Sequence, residues 1–206
     1  MPIDNPKTDR RIIRSKEALK QALLALMSQK PFSSISITEI VEHANYNRGT
    51  FYSHYENKEG LLDDILNQLI SELIKSFRAP YENTELFRID ELSANAVMIF
   101  EHIFQNASIY TVLLSSEVLP DIREKMFLAL KQILIEDLDN ADTTLNREFH
   151  VIYSIHALLG LVFHWIEGGF KYSPEYMQEQ LVRIIHWHPS TVINKHNAAK
   201  RNLNHQ

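Results

Sequence analysis

The most chemically useful side chains lie close together in residues 47–52, Asn-Arg-Gly-Thr-Phe-Tyr. The guanidinium of an arginine such as Arg48 can donate two hydrogen bonds to O6 and N7 of guanine, and the amide of Asn47 can also reach base edges. Gly49 has no side chain, so the backbone there can approach another molecule closely. These residue types at adjacent positions favour contact with a DNA duplex.

Patterns typical of enzymes and metal sites are missing from the sequence. The chain contains no Cys, which excludes disulfides, a thiol nucleophile and Cys-ligated metals. No GxSxG, P-loop, HExxH or GxGxxG motif occurs. His102, His150, His156 and His164 are spaced so that none forms an i, i+3 or i, i+4 ligand pair. We therefore predict no metal, no cofactor and no enzymatic activity.

Charge is distributed unevenly along the chain. The formal net charge is −5, yet residues 1–60 carry nine Lys and Arg against seven Asp and Glu. A locally basic end on an acidic body favours one segment that contacts phosphates, although a solvated helix face gives the same pattern. Residues 7–14 therefore either cross the DNA backbone or minor groove or stay solvated. The basic cluster consists of Lys7, Arg10, Arg11, Arg14, Lys16 and Lys20.

Local signals predict two short helices that would position these side chains. Ser36 and Glu39 have the spacing of a capping box at a helix start. Asn45 lies where the chain must turn sharply, and Asn tolerates positive φ better than other residues with a side chain. Asn47 is suited to cap the second short helix, and Asn57 to cap the longer helix that follows.

These helices, over residues 37–43 and 48–54, are too short to bury a core unaided. They need a helix before them and one after them, which is the helix-turn-helix arrangement. Five Gly and seven Pro are too few for the turns of a β-sandwich or barrel, and apolar residues recur at helical spacing in the rest of the chain. We predict an all-α fold of about nine helices.

The predicted organisation is an N-terminal three-helix helix-turn-helix domain in residues 1–60, followed by a helical bundle in residues 61–189. A helix from about residue 57 links the two, and residues 190–206 are expected to be a disordered tail. The longest apolar run, residues 157–163, is much shorter than the ~20 residues that span a bilayer. We expect a cytoplasmic protein that does not associate with a membrane.

Residues 36–62 resemble the DNA-binding signature of the bacterial TetR (tetracycline repressor) family of transcription regulators. Two positions depart from the common pattern: Asn45 replaces a frequent Gly, and His54 replaces a frequent Tyr. The positions that carry the resemblance are Ile37, Thr38, Ala44, Arg48, Gly49, Thr50, Phe51, Tyr52, Tyr55, Lys58, Glu59, Leu61 and Leu62.

The resemblance implies a set of DNA contacts. Hydroxyls and an ammonium would bind phosphates, while the start of the second short helix would meet base edges. For Thr38 and Lys58, capping and solvation remain the alternative, and the departure at His54 leaves its contact open. The predicted DNA-binding residues are Thr38, Asn47, Arg48, Gly49, Thr50, Tyr52, His54 and Lys58.

A palindromic operator requires a two-fold symmetric protein, so we expect a homodimer. In the family, the last two helices pair with those of the partner as a four-helix bundle. Here those helices are predicted over residues 146–170 and 175–188, and the alternative is that both belong to the internal core. The predicted interface residues are Leu159, Gly160, Met177, Leu181, Ile184, Ile185 and His188.

The resemblance further implies a small molecule bound between the middle helices, which would release the protein from DNA. Aromatic and Met side chains there suit an apolar or aromatic effector, although each could equally be ordinary core. The predicted function is a ligand-responsive repressor, and the alternative is a co-regulator or activator that acts through a protein partner. The predicted pocket residues are Phe100, Phe104, Tyr110, Met126, Phe127, Tyr153 and Phe163.

Overall fold

The computed structural model describes residues 6–83, 88, 91–136 and 145–187, with side chains from residue 10 onward. Every regular element in these ranges is helical, which confirms the all-α prediction. The segment 190–206, for which a disordered tail is predicted, lies outside the described residues. The α-helices of the described residues are α1 Pro6–Met27, α2 Ile37–His43, α3 Arg48–Tyr52, α4 Lys58–Arg78, α5 Ile99–Gln105, α6 Ala107–Leu114, α7 Leu119–Glu136, α8 Arg147–Glu167 and α9 Pro174–Ile185.

All the predicted helix caps in the N-terminal region form. The Oγ of Ser36 accepts a hydrogen bond from the backbone N–H of Glu39, and the Glu39 carboxylate accepts one from the backbone N–H of Ser36. The side chains of Asn47 and Asn57 cap α3 and α4 in the same way. Because each cap satisfies an N–H group that has no partner within its helix, the starts of α2, α3 and α4 are fixed locally.

The turn between α2 and α3 contains the unusual backbone conformation expected from the sequence. Asn45 has φ 57°, in the left-handed region. Its backbone N–H bonds to the carbonyl of Glu42, and the N–H of Tyr46 bonds to the carbonyl of Val41. The turn is therefore held by backbone hydrogen bonds that require positive φ at this one position.

Substitutions at Asn45 should reveal this requirement. We expect Asn45→Gly to leave stability within about 0.5 kcal/mol of wild type, and Asn45→Val to cost about 1–2 kcal/mol, because a Cβ branch clashes in the left-handed region. Urea unfolding measures both changes. Asn67→Val, at an exposed position in α4, is the matched control. Equal losses from both valine variants would contradict the argument.

We call residues 6–60 the head and residues 61–187 the body. The head packs α1 against α2 and α4, and α2 against α3, around side chains with no exposed surface. Helix α4 begins in the head and then contacts α5 and α7 of the body, so it joins the two parts. The boundary near residue 60 stays a prediction. The core of the head includes Leu19, Leu23, Ile35, Ile40 and Phe51, and Leu61 at the start of the body packs beside it.

In the body, α8 packs against α7 and α6, while α9 packs against α5 and the 3-10 turn Ala94–Ala96. Among the described residues, α8 is the one helix whose length and apolar composition could cross a bilayer. Val151, Ile155, Val162 and Ile166 on α8 are nevertheless buried inside the protein. One side of this helix is thus part of the core of the body.

Candidate DNA-binding surface

The N-terminal end of α3 is organised by the side chain of Asn47. Its Oδ1 accepts a hydrogen bond from the backbone N–H of Thr50 at 2.9 Å and from the Thr50 hydroxyl at 3.3 Å. The side-chain oxygen of Asn47 is therefore occupied in the cap, and its side-chain amide nitrogen is the group that can donate to a ligand. Thr50 is half-buried, and Asn47 is exposed.

Arg48 and Thr38 come together although they lie ten residues apart in the chain. The Nη2 of Arg48 donates a hydrogen bond to the Oγ1 of Thr38, which links the start of α3 to the start of α2. Arg48 is exposed and Thr38 is half-buried. The guanidinium keeps further N–H donors beyond the one shared with Thr38, so it can bind a second acceptor.

The exposed side of α3 continues through Gly49 and Tyr52. A Cβ at position 49 would lie 3.2 Å from the Oδ1 of Asn47, so a larger residue would press on the cap as well as on a ligand. Tyr52 is 56% exposed, and its ring meets the Phe51 ring edge-on with centroids 5.6 Å apart. These two residues and Arg48 form one accessible row beside the capped helix start.

His54 is attached to α1. Its Nε2 lies 2.7 Å from the Oγ of Ser15, a side chain that is almost fully buried. Burial lowers the pKa of His54, and the positive charge of Lys16 lowers it further. The ring therefore favours the neutral state and ties the end of α3 to α1, while the DNA contact predicted for His54 stays a prediction.

Lys58 is bound by the protein itself. Its Nζ donates hydrogen bonds to the backbone carbonyls of Phe32, Ser33 and Ile35 at 2.8, 3.0 and 2.8 Å. The ammonium also lies 4.7 Å from the centroid of the Phe32 ring. An ammonium has three N–H donors, so these carbonyls can occupy all of them. The phosphate contact predicted for Lys58 stays a prediction, and it requires this group to leave at least one carbonyl.

Polar contacts also fix α1 against α4. The carboxylate of Asp64 accepts a hydrogen bond from the Tyr55 hydroxyl at 2.7 Å and lies 3.2 Å from the Nζ of Lys20. Burial opposes the charged form of Asp64, but the bonds from Tyr55 and Lys20 outweigh it and lower its pKa. Burial, and then this carboxylate, raise the pKa of Tyr55. Arg10, Arg11 and Arg14 on α1 stay exposed, as a phosphate-facing helix would require.

The residues predicted for the effector pocket do not all lie together. Phe100, Tyr110, Met126 and Phe163 are buried in the body, where Phe100 meets the Trp165 ring edge-on. The three others lie nearer the surface, because α5, α7 and α8 each turn part of their apolar surface outward. Phe104 on α5 is 45% exposed, and Tyr153 on α8 is 74% exposed. Phe127 on α7 is half-buried against His156.

A buried polar pair lies among the interior residues. The Nε2 of His102 is 3.2 Å from the hydroxyl of Tyr110. Burial lowers the pKa of His102, which the negative charge of Glu72 partly opposes, and burial raises the pKa of Tyr110. Over the described ranges, no group of three or more His, Asp or Glu side chains is arranged to hold a metal ion.

The predicted interface residues divide between the interior and the surface. Leu159 and Met177 are almost fully buried within the chain, so each offers little surface to a partner, and their interface role stays a prediction. Gly160 and Ile184 are exposed, and a Cβ at position 160 would meet nothing within 4 Å. Leu181 and Ile185 are half-buried, and His188 lies outside the described residues.

Large apolar side chains continue the exposed surfaces of these two helices. On α8, Phe149 is 70% and Tyr153 is 74% exposed, and they lie on the same side as Gly160. On and after α9, Tyr176, Ile184 and Trp187 are exposed. The name outer apolar face is used below for Phe149, Tyr153, Gly160, Tyr176, Ile184 and Trp187. The apolar pattern of the sequence alone does not distinguish this face from the buried sides of the same helices.

Two family models match the chain. The model described as bacterial regulatory proteins of the tetR family matches residues 19–65, and the model described as transcriptional regulator C-terminal region matches residues 90–186. The chain belongs to the TetR family of transcriptional regulators. Membership of this family confirms the prediction that the chain is not an enzyme.

Relatives of this TetR-family protein agree with that assignment. It is 26% identical over 178 residues to the HTH-type transcriptional regulator YxbF of Bacillus subtilis strain 168. The aligned region covers 86% of this chain but 46% of YxbF. The chain thus spans about half the length of this curated relative.

Solved structures show the same fold. A TetR transcriptional regulator from Streptococcus agalactiae 2603V superposes with a TM-score of 0.58 at 23% identity, covering 86% of this chain and 97% of the other. The dihydroxyacetone kinase operon activator DhaS superposes with a TM-score of 0.58 at 20% identity, covering 83% of this chain and 93% of the other.

Proposed function

We propose that this TetR-family regulator is a cytoplasmic repressor that binds a palindromic operator as a homodimer and is released by a small molecule. The observation that carries the proposal is the accessible row of Arg48, Gly49 and Tyr52 on α3, whose start is fixed by the Asn47 cap. A helix presented in this way can enter the major groove of a DNA duplex.

Within that groove, the exposed guanidinium of Arg48 would read a base edge, with guanine the preferred partner, and Asn47 would donate from its amide nitrogen. Thr38, Thr50, Tyr52 and Lys58 would bind phosphates and so fix the register of α3 on the duplex. Gly49 would allow the α3 backbone to approach the bases. His54 would act through its link to Ser15, because its Nε2 is already bonded there.

The outer apolar face supports the homodimer. Large apolar side chains are exposed on both of these helices, and two copies related by a two-fold axis would cover each other's face. Pairing through α8 and α9 would place the two heads side by side, as two half-sites of a palindrome require.

The buried aromatic interior of the body supports an apolar or aromatic effector. Phe100, Tyr110, Met126 and Phe163 lie there, and a ligand would have to displace part of this packing. Helices α5, α7 and α8 would then move relative to α4, which runs into the head. A change in the separation of the two heads would weaken operator binding, with a coupling of about 1–3 kcal/mol.

Selection of binding sites tests the proposal directly. The purified protein is incubated with a pool of random DNA duplexes, and the bound fraction is amplified and sequenced over several rounds. We expect a two-fold symmetric consensus, together with a dimer mass by light scattering. Enrichment of no sequence would contradict operator recognition, and a monomer mass at every concentration would contradict the symmetric mode of binding.

Two substitutions should separate base recognition from phosphate binding. We expect Arg48→Ala to cost about 1–3 kcal/mol on the selected operator and to relax the preference at one base position. We expect Lys58→Met to weaken binding to every sequence alike and to lower the salt slope by about 0.9 for each phosphate that the protein no longer neutralises. Titrations of matched and mutated operators at several salt concentrations measure both effects. The same sequence-independent loss from both variants would contradict these roles.

A second candidate function is an activator or co-regulator that acts through a protein partner. The name of DhaS, a structural neighbour with the same fold, describes an operon activator. Gel shifts with the purified protein distinguish a regulator that needs a partner to bind DNA from one that binds alone, and transcription in vitro from the selected operator then distinguishes activation from repression. The exposed Arg48 and Gly49 favour binding without a partner.

A further inference from the structure

The turn whose carbonyls bind Lys58 is anchored to the body of the same chain. This 3-10 turn, Phe32–Ser34, lies between α1 and α2, and its carbonyls, with that of Ile35, accept the three hydrogen bonds from Lys58. On its other side, the turn is bound by Glu117, which lies between α6 and α7. The head and the body thus meet at this turn through residues 84 positions apart in the sequence.

The contact of Glu117 with the turn is made by both oxygens of its carboxylate. One oxygen accepts a hydrogen bond from the backbone N–H of Ser33, and the other accepts one from the Ser33 hydroxyl at 3.2 Å. The N–H of Ser33 and the carbonyl of Phe32 belong to the same peptide group. Glu117, that single peptide group and the Lys58 ammonium therefore form one continuous chain of hydrogen bonds.

This arrangement strengthens the hold on Lys58. A carboxylate that accepts from a peptide N–H polarises the group and increases the negative charge on its carbonyl oxygen, and consecutive hydrogen bonds of this kind reinforce one another. The carbonyl of Phe32 is consequently a better acceptor for the Lys58 ammonium while Glu117 is in place. The same contact fixes the position of Ser33, whose carbonyl accepts a second hydrogen bond from Lys58.

We propose that Glu117 is a positioning residue that keeps Lys58 bound to the turn in the DNA-free protein. A movement of the segment between α6 and α7 would break the Glu117–Ser33 contact, weaken the hold of the carbonyls and free the ammonium for phosphate. The body would in this way control one DNA contact of the head. This inference rests on the phosphate role proposed for Lys58.

A double-mutant cycle tests the proposal on the full chain. The variants are Glu117→Ala, Glu117→Gln, Lys58→Met and the double variant Glu117→Ala with Lys58→Met. Glu124→Ala is the matched control, because it removes the same charge from an exposed position on α7. The probe is a fluorescent duplex of about 30 base pairs of mixed sequence, since phosphate contacts need no particular sequence. Affinity is measured over a series of salt concentrations.

We expect Glu117→Ala to tighten binding about threefold to tenfold, because Lys58 leaves its carbonyls more readily, and to keep the wild-type salt slope, because the same phosphate contact forms in both complexes. Glu117→Gln should lie between this variant and wild type, because its amide oxygen still accepts from Ser33 but carries no full charge. The gain should vanish in the Lys58→Met background. A loss or no change of affinity from Glu117→Ala overturns the proposal, and so does an equal gain with Lys58→Met or from Glu124→Ala.

A second measurement keeps the inference separate from the proposed function. The side-chain ammonium of Lys58 is observed by ¹⁵N NMR in the DNA-free protein, where an ammonium held by three carbonyls exchanges its protons slowly. We expect a resolved signal in wild type that broadens or disappears in Glu117→Ala. An unchanged signal in this variant overturns the inference. If wild type binds no duplex even at low salt, the proposed DNA contact of Lys58 fails, whatever this signal shows.

Discussion

Tyr153→Asp is expected to dissociate the proposed homodimer. Tyr153 is 74% exposed in the single chain and lies on the outer apolar face beside Phe149. In a two-fold interface each substitution occurs twice, so two carboxylates would be desolvated against apolar surface without a partner. Each unpaired buried charge costs several kcal/mol, and each 1.4 kcal/mol corresponds to about a tenfold change in the dimer Kd. A rise in that Kd of at least about 100-fold follows.

Analytical ultracentrifugation over a range of concentrations measures the change, and thermal unfolding shows whether the monomer stays folded. The matched control is Leu128→Asp, which introduces the same charge at an exposed apolar residue of α7, 52% exposed. We expect this control to remain dimeric. The dimer interface proposed here is wrong if Tyr153→Asp sediments like wild type, or if Leu128→Asp dissociates to the same extent.

Dissociation should also impair operator binding. A monomer contacts one half-site and loses the contribution of the second head, so binding to a palindrome should fall much further than binding to an isolated half-site. Tyr153 lies in the body and is not part of the head, so a large loss of operator affinity would be transmitted through assembly. Retained operator affinity in a monomeric Tyr153→Asp would contradict a two-headed mode of binding.

The head is predictable in detail because its signals are local. The caps at Ser36, Asn47 and Asn57 involve partners three residues away, and the left-handed turn at Asn45 depends on one residue type. Short-range hydrogen bonds of this kind are determined by spacing in the sequence, so the residues themselves indicate them. Helix α3 nevertheless ends at Tyr52, two residues earlier than the predicted end at residue 54.

The contacts that modify the candidate site are not predictable from the sequence, because they join residues far apart in the chain. The bond between His54 and Ser15 spans 39 positions, and the contact of Glu117 with Ser33 spans 84. The side chain of a lysine such as Lys58 could be solvated, bound to phosphate or bound to carbonyls, and only the position of the preceding turn decides among these. The sequence signal for such a contact is limited to the presence of a donor and an acceptor.

The faces of the body helices are ambiguous for a related reason. Helix α8 is apolar on nearly every side, so periodicity cannot distinguish the side that meets α7 from the outer apolar face. The family resemblance, applied to such a helix, predicts Tyr153 in an internal pocket and Leu159 at an interface, whereas the first is exposed and the second is buried. Packing against neighbouring helices decides such cases.

The second large effect is expected from Phe51→Ala. Phe51 is the only buried residue of α3 and has no exposed surface, so this five-residue helix is held in the head chiefly by one ring. Truncation of a buried Phe to Ala costs about 3–5 kcal/mol, a large part of the stability of an ordinary domain. We expect the head to unfold at a much lower temperature and DNA binding to fall by more than about 100-fold.

Tyr52→Ala is the matched comparison, because it removes an aromatic ring from the adjacent residue of the same helix. Tyr52 is 56% exposed, so its loss should cost less than about 1 kcal/mol of stability while still weakening DNA binding through the missing phosphate contact. Thermal unfolding followed by circular dichroism, combined with DNA titration, separates the two effects. Light scattering should show that both variants remain dimers, since the outer apolar face is unchanged. If Tyr52→Ala destabilised the head as much as Phe51→Ala, α3 would not be anchored by Phe51, and its exposed row could not be regarded as a surface free to contact DNA.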